Sequence, residues 1–233
     1  LPDIKAREEI IAVHVRNKPL DESVDIKVLA RTSAGMSGAN LENLVNEAAL
    51  IAARKGKDKI YMDDFEEAKD KVMKGVERKS LVISNEEKQI IAYHEAGHAI
   101  VITALPEADP VQKVSIISRG MAGGYTLAMP LEDRFLDSRR KLFTTMVGLL
   151  GGRAAESIIF NDITSGASND IENVTKLARK MVTRLGMSDE LGPMVYGQKE
   201  ELVFLGREIS EQRDYSEAVA QKIDIEVQHL VNK

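Results

Sequence analysis

The sequence predicts a mainly α fold carrying one small two-stranded β element, and three observations lead to it. Apolar residues recur at helical spacing over most of the chain, most clearly as Leu41, Leu44, Val45, Ala48 and Ile51 or Ala52. Capping side chains such as Ser37 and Ser84 stand just ahead of such runs. Only two short stretches, 111–117 and 125–129, read as strands, the first rich in alternating β-branched residues and the second stopped by Pro130. With 233 residues, 43% of them apolar, the chain is long enough to bury a core in one large or two small domains.

Taken in order, a first helix is expected over residues 3–16, with Pro2 suited to its first turn and Asn17-Lys18-Pro19 breaking it. A short second helix follows Ser23, with Val24, Val28 and Leu29 apolar, and a long third follows Ser37. A fourth runs over 63–74. The charged stretch Glu77-Arg78-Lys79-Ser80 then interrupts the pattern, and a domain boundary is expected there, between 78 and 79. Ser84 and Glu87 form a capping box for a helix that Pro106 ends; its run Ala99, Ile100, Val101, Ile102 predicts a buried element. After the strand at 111–117 comes a flexible turn, Arg119-Gly120-Met121-Ala122-Gly123-Gly124, and after the strand at 125–129 the chain returns to helix. Helices are expected over 137–150, over 153–159 beyond Gly151-Gly152, over 171–185, and from Ser216 to the last residue. The pattern at both ends reads as continuing into a longer polypeptide.

Composition removes several function classes. A net charge of −5 without a basic cluster, and only 4% aromatic residues, exclude a nucleic-acid footprint. The absence of cysteine excludes thiolate ligands and disulfides, so a metal would have to be held by His, Asp or Glu. No run approaches 18 apolar residues, and the first residues lack the order of a signal peptide. A phosphate-binding loop of the form G-x-x-x-x-G-K-[ST] is absent, so these residues alone are not expected to hydrolyse ATP.

The pentapeptide His94-Glu95-Ala96-Gly97-His98 spells H-E-x-x-H within the helical run after Ser84. Histidines four apart lie one turn above each other on the same helix face and reach one ion, so His94 and His98 are expected zinc ligands. Glu95 is then placed as general base: zinc lowers the pKa of a coordinated water to about 7, and the carboxylate takes its proton and later returns it to the leaving amine. A catalytic site takes three protein ligands. The extended pattern with a third histidine fails because Val101 stands where it needs glycine and no histidine follows until His229. A carboxylate must serve instead. Glu107 and Asp109 lie too close to the break at Pro106 to fold back, which leaves Glu156, Asp162 and Asp170. Asp170 is preferred because a short side chain at the junction of a tight turn and a helix is well fixed; Glu156 has the alternative of an ion pair with Arg153. Two competing readings are a non-peptidase zinc hydrolase and a helical binding module with a structural zinc; the glutamate beside His94 has no purpose in a closed site, which favours an enzyme.

Several separated motifs stand in a recognisable order: Ser-Gly-Ala-Asn-Leu at 37–41, Asn-Glu-Ala-Ala at 46–49, His-Glu-Ala-Gly-His at 94–98, Leu-Gly-Gly-Arg-Ala-Ala-Glu at 150–156 and Thr-Ser-Gly-Ala-Ser-Asn-Asp at 164–170. Together they make the chain resemble, over essentially its whole length, the FtsH family of membrane-anchored ATP-dependent AAA zinc metalloproteases. The resemblance implies that residues 1–78 are the helical lid of an AAA ATPase module and 79–233 an all-helical zinc peptidase domain, truncated at its C-terminus. It points to Asp170 as third ligand as well. It further implies that His14, Gly38 and Ala39 approach the nucleotide, that ATP and Mg2+ bind only in the full-length protein, and that the protein forms a homohexamer. The membrane tie would be an anchor preceding this chain, the location the cytoplasmic face of the bacterial inner membrane, and the substrates unfolded or membrane proteins degraded in protein quality control. Ala34, Met36 and Asn40 depart from the family's more usual Pro, Phe and Asp, all in the lid. From the residues themselves, the small sheet should leave one strand edge open near the metal, so Gly124, Tyr125, Thr126, Leu127, Ala128 and Met129 are expected to receive a substrate peptide as an added strand.

Overall fold

Short polar side chains set the helix starts. In the computed structural model, which describes residues 1–77, 83–120, 122–130, 132, 134, 136–197 and 214–233, Asp3 accepts from the Ala6 amide at 2.8 Å and opens α1 (Ile4–Val15). Asp25 accepts from the Lys27 and Val28 amides and opens α2 (Ile26–Thr32). The start expected just after Ser23 is therefore corrected: the carboxylate at 25 takes the cap. Ser37 opens α3 (Gly38–Arg54) through the Asn40 amide, as its sequence position predicts. The next helix, α4 (Met62–Lys74), closes on Gly75 at φ 90°, a conformation that glycine adopts without cost. The motif-bearing helix α5 (Asn85–Ala104) begins where Ser84 accepts from the Glu87 amide at 3.1 Å. Two strands follow, β1 (Val111–Ser115) and β2 (Tyr125–Ala128), paired antiparallel with Ser115 opposite Tyr125 and Val114 opposite Thr126. The remainder is α6 (Arg139–Phe160), a 3-10 turn at Ser165–Ala167, α7 (Ser168–Thr183) and α8 (Glu217–Asn232). Among the described residues the protein is mainly α, with one two-stranded sheet.

Contacts group the chain into two compact units, Leu1–Ala99 with Asp109–Leu136, and Ile100–Ala108 with Asp137–Lys233. The division falls within α5. Apart from Glu77, the charged connection at 77–80 and the boundary expected in it lie outside the described residues, as does Met121 of the turn before β2.

In the first unit the α3 stripe Leu41, Leu44, Val45, Ala48, Ile51 and Ala52 is fully buried, together with Ile11 of α1 and Phe65 of α4. Arg7, only 2% exposed, donates through Nε to the Ala30 carbonyl at 2.8 Å and so ties α1 to the end of α2. Asp64 is fully buried and accepts from Lys55 and Lys57 and from the Tyr61 amide, all within 3.0 Å. Burial works to raise its carboxyl, but the donated bonds from Lys57, Lys55 and Tyr61 prevail and hold it below the ordinary value. The β hairpin is tied to this helical module. Lys113 of β1 pairs with the buried Asp70 of α4, and the Gly120 amide donates to the Val76 carbonyl at 3.2 Å.

The second unit is built on α6, α7 and α8, whose core holds Leu142 and Met146, Val174, Ala178 and Met181, and Ile223 and Val227. One expectation fails here. The Gly151-Gly152 pair does not divide two helices, since α6 runs unbroken from Arg139 to Phe160. Gly148, Gly151 and Gly152 all lie buried on it at helical spacing, and a Cβ on Gly148 would sit 3.0 Å from Ile102 Cγ1. Gly148 thus serves close packing, and the intrahelical bonds carry the helix through the buried pair Gly151-Gly152. The helix ends instead at Asn161, which adopts the left-handed conformation at φ 51°. No helix of the described residues is long and apolar enough to cross a membrane.

Candidate active site

Helix α5 brings its two histidines into register, as a spacing of four requires. The Nε2 atoms of His94 and His98 lie 3.0 Å apart, with ring centroids at 4.7 Å and planes at 79°. A tetrahedral ion with bonds of ~2.0–2.1 Å to each would hold two nitrogens about 3.3 Å apart, so the pair is nearly at ligand spacing. Burial on this helix centres on the motif. His94, Glu95, Gly97 and His98 are buried, whereas Ile100 is 69% exposed and Tyr93 40%. The expectation that the apolar run would bury α5 is corrected accordingly: the residues covered are the polar ones.

The cover over Glu95 comes from the hairpin. Thr126 Oγ1 of β2 lies 2.8 Å from Glu95 Oε2 and 3.0 Å from the Glu95 carbonyl oxygen. At the head of the same strand, a Cβ on Gly124 would stand 2.7 Å from the Ser115 carbonyl oxygen, 2.9 Å from Glu95 Cγ and 2.9 Å from Ile91 Cγ2. Only a residue without a side chain allows this approach. Tyr125 and Leu127 point into the core beside Met129, and Ala34 packs on this cluster. Burial, then the charge of Asp70, pushes the Tyr125 phenol above its ordinary value, and Lys74 lies 5.7 Å from the centre of its ring. Among the described residues β2 pairs with β1 alone, and Ala128 ends the strand one residue before Met129.

Asp170 is the third residue of α7, half-buried. The turn that presents it is organised by Glu156, which is 1% exposed and accepts from the Thr164 amide through Oε2 at 2.7 Å, while Thr164 Oγ1 accepts from the Gly166 amide at 3.1 Å. The expected ligands are thus His94 and His98 of the first unit and Asp170 of the second. Two imidazole nitrogens and one carboxylate oxygen, with no thiolate in the chain, match the donor set of a catalytic zinc site with one position open. The other carboxylates weighed have partners of their own: Asp162 is exposed and accepts from the Ile163 amide, Glu107 pairs with Arg140 and Asp109 with Arg134.

His14 sits half-buried in the last turn of α1, and Gly38 and Ala39 are the first residues of α3, which packs against α1. No heavy atom lies within 4 Å of a Cβ built on Gly38, so its small size is not required by the packing of this chain. His229 is 67% exposed on α8, 3.8 Å from Glu226, as a solvated surface residue would be.

Three contacts that matter to the geometry escape sequence reasoning: Gly124 beside Glu95, Thr126 on Glu95 and Asp70 on Lys113. The Gly123-Gly124 pair before a strand signals close backbone approach and could have been read so. Nothing in the sequence marks the Thr126 hydroxyl or Asp70 as neighbours of Glu95 and Lys113.

Comparison with known proteins gives the family of the chain. The family model for the AAA+ lid domain matches residues 23–67, and that for peptidase family M41 matches residues 81–233. The chain is 58% identical over 233 residues to the ATP-dependent zinc metalloprotease FtsH of Pseudothermotoga lettingae, covering all of this chain and 37% of that protein. It is 57% identical over 231 residues to the protein of the same name from Thermotoga maritima, covering 99% of this chain and 38% of the relative, and 53% identical over 233 residues to that of Caldicellulosiruptor bescii, covering 100% and 38%. The chain thus spans little more than a third of the length of these relatives. With the buried H-E-x-x-H helix lying inside the matched region 81–233, the chain belongs to peptidase family M41.

Proposed function

We propose that this chain is the lid and peptidase portion of an ATP-dependent zinc endopeptidase, divided functionally between 78 and 79. The observation that carries the reading is the convergence of His94 Nε2 and His98 Nε2 at 3.0 Å on a helix whose intervening Glu95 is buried and held by Thr126. His94, His98 and Asp170 hold the zinc. When bound, zinc supplies Lewis acidity that polarises the attacking water and the scissile carbonyl. Glu95 accepts the proton of that water and delivers it to the departing amine nitrogen, as the peptide C–N bond breaks. Its low exposure keeps bulk water from competing and strengthens each electrostatic contact at the carboxylate.

Substrate enters as a strand on β2, with Gly124 to Met129 as the receiving segment. Two features support this: the sheet has two strands among the described residues, and β2 lies against the catalytic glutamate. Backbone pairing makes few demands on sequence, which suits unfolded and membrane proteins as substrates. A peptide N-methylated at alternate amides should show a raised KM; an unchanged KM would remove the strand-addition reading. In the whole protein, ATP and Mg2+ bind beside His14, Gly38 and Ala39, six chains assemble as a homohexamer, and an anchor in the bacterial inner membrane places these domains on its cytoplasmic face. The lid match and the words ATP-dependent in the names of the relatives support the nucleotide part of this reading, while the hexamer and the anchor rest on the family resemblance alone.

The deciding experiment measures zinc content and casein cleavage together. Glu95→Gln should retain zinc and lose at least about a hundredfold in cleavage rate. Asp170→Asn should lose zinc and activity together, with helical content kept. Cleavage unaffected by Glu95→Gln refutes the mechanism. Full zinc in Asp170→Asn, with loss in Glu156→Gln, would transfer the third ligand to the glutamate.

A further inference from the structure

The hairpin touches Glu95 twice, at the stem and at the head. At the stem, the Gly124 backbone lies so close that a Cβ there would stand 2.9 Å from Glu95 Cγ. At the head, the Thr126 hydroxyl lies within hydrogen-bond reach of both Glu95 Oε2, at 2.8 Å, and the Glu95 carbonyl oxygen, at 3.0 Å. A hydroxyl has one proton, and an ionised carboxylate is the stronger acceptor, so the bond is committed to Oε2 while Glu95 is ready to act as base. A glutamate has three side-chain torsions, and a base that samples several of them is out of position for much of the time. With the Gly124 backbone close beside its stem and Thr126 within hydrogen-bond reach of one oxygen, Glu95 is restrained at both ends of its side chain.

We propose that Thr126 is a positioning residue for peptide cleavage: its hydroxyl fixes the Glu95 carboxylate, and because it stands on β2 it sets the base in register with a peptide added to that strand. This rests on the endopeptidase reading above. It gives the Thr126 side chain a task separate from the backbone pairing expected of the same residue. The strand proposed to receive the substrate and the group that activates the water are thereby joined by a side-chain bond from strand to helix.

The test uses Thr126→Val, which keeps the shape and removes the hydroxyl, and Thr126→Ser, which keeps the hydroxyl and removes the methyl, both in the whole 233-residue chain. Steady-state kinetics on a fluorogenic peptide and zinc content are read for each, with and without Glu95→Gln. Thr126→Val should lower kcat about tenfold to a hundredfold, leave KM within about threefold and retain full zinc, the scale expected for a misplaced catalytic group. Thr126→Ser should recover most of kcat. In the Glu95→Gln background, Thr126→Val should cause no further loss, since the group it positions is gone. Wild-type kcat in Thr126→Val overturns the proposal, as does a serine variant no better than valine, or loss of zinc in the valine variant. If the endopeptidase reading itself were wrong, the unmodified chain would show no chelator-sensitive cleavage and Glu95→Gln no effect, a pattern distinct from each of these.

Discussion

Replacing Gly124 by alanine adds one methyl group and should damage both catalysis and stability. The new Cβ would stand 2.7 Å from the Ser115 carbonyl oxygen, 2.9 Å from Glu95 Cγ and 2.9 Å from Ile91 Cγ2. Ile91 can turn its side chain aside. The Ser115 oxygen is backbone of the paired strand β1 and cannot, so β2 or its partner must shift by about 0.5–0.7 Å to restore an ordinary contact of ~3.2–3.4 Å. Overpacking of this kind costs about 1–3 kcal/mol. The same shift carries Thr126 away from Glu95 Oε2, now 2.8 Å distant, and weakens that bond. Misplacement of a catalytic group by about 1 Å costs on the order of a hundredfold in rate, so a shift of half that size should lower kcat by about tenfold. The neighbouring Gly123→Ala meets only Ile91, at 2.9 Å from its flexible Cδ1, and should lower kcat by less than about threefold. Peptide cleavage with zinc content, followed by urea unfolding, reads both effects. Equal kcat in the two alanine variants, or wild-type kcat in Gly124→Ala, would refute the argument that backbone contact at Gly124 seats the base.

Two further outcomes follow from the helices. Asp64→Asn should destabilise the first unit by about 2 kcal/mol at pH 7, the usual scale for hydrogen bonds to a charged group, moderated because Lys55 and Lys57 are partly solvated. Because the folded Asp64 is held below its ordinary value, its contribution is present above the unfolded value of about 3.9 and is lost as pH falls through the folded one. The stability gap between wild type and Asp64→Asn in urea unfolding should therefore narrow below about pH 4; a constant gap down to pH 2 would contradict the assignment. At the end of α6, Asn161→Ala should cost about 1 kcal/mol and Asn161→Gly nothing, since φ 51° strains a residue with a Cβ. A thermal melt in which the two variants coincide would count against that account.

Much of the secondary structure was legible in the sequence because its causes are local. Ser37 caps the helix that its position announced, the α3 stripe is buried residue for residue, and Pro106 follows the end of α5. Where local signals competed with packing, packing decided. Gly151-Gly152 is a break by propensity, yet the pair lies buried within one continuous α6. The apolar run after His98 promised a buried helix, yet Ile100 is 69% exposed and the charged Glu95 is covered.

What the sequence determined by itself about this protein is its chemistry: histidines four apart on a helix must share a face, a glutamate beside the first lies next to whatever they hold, and a chain without cysteine must add a carboxylate. What only the tertiary structure decided is how that chemistry is held. A hydroxyl on residue 126 and a missing side chain on residue 124 reach Glu95 from 31 and 29 positions away along the chain, and Asp70 secures Lys113 across 43. No periodicity or cap encodes such pairings, because they arise from the way the hairpin folds back on α5 and α4, and folding back is a property of distant surfaces meeting.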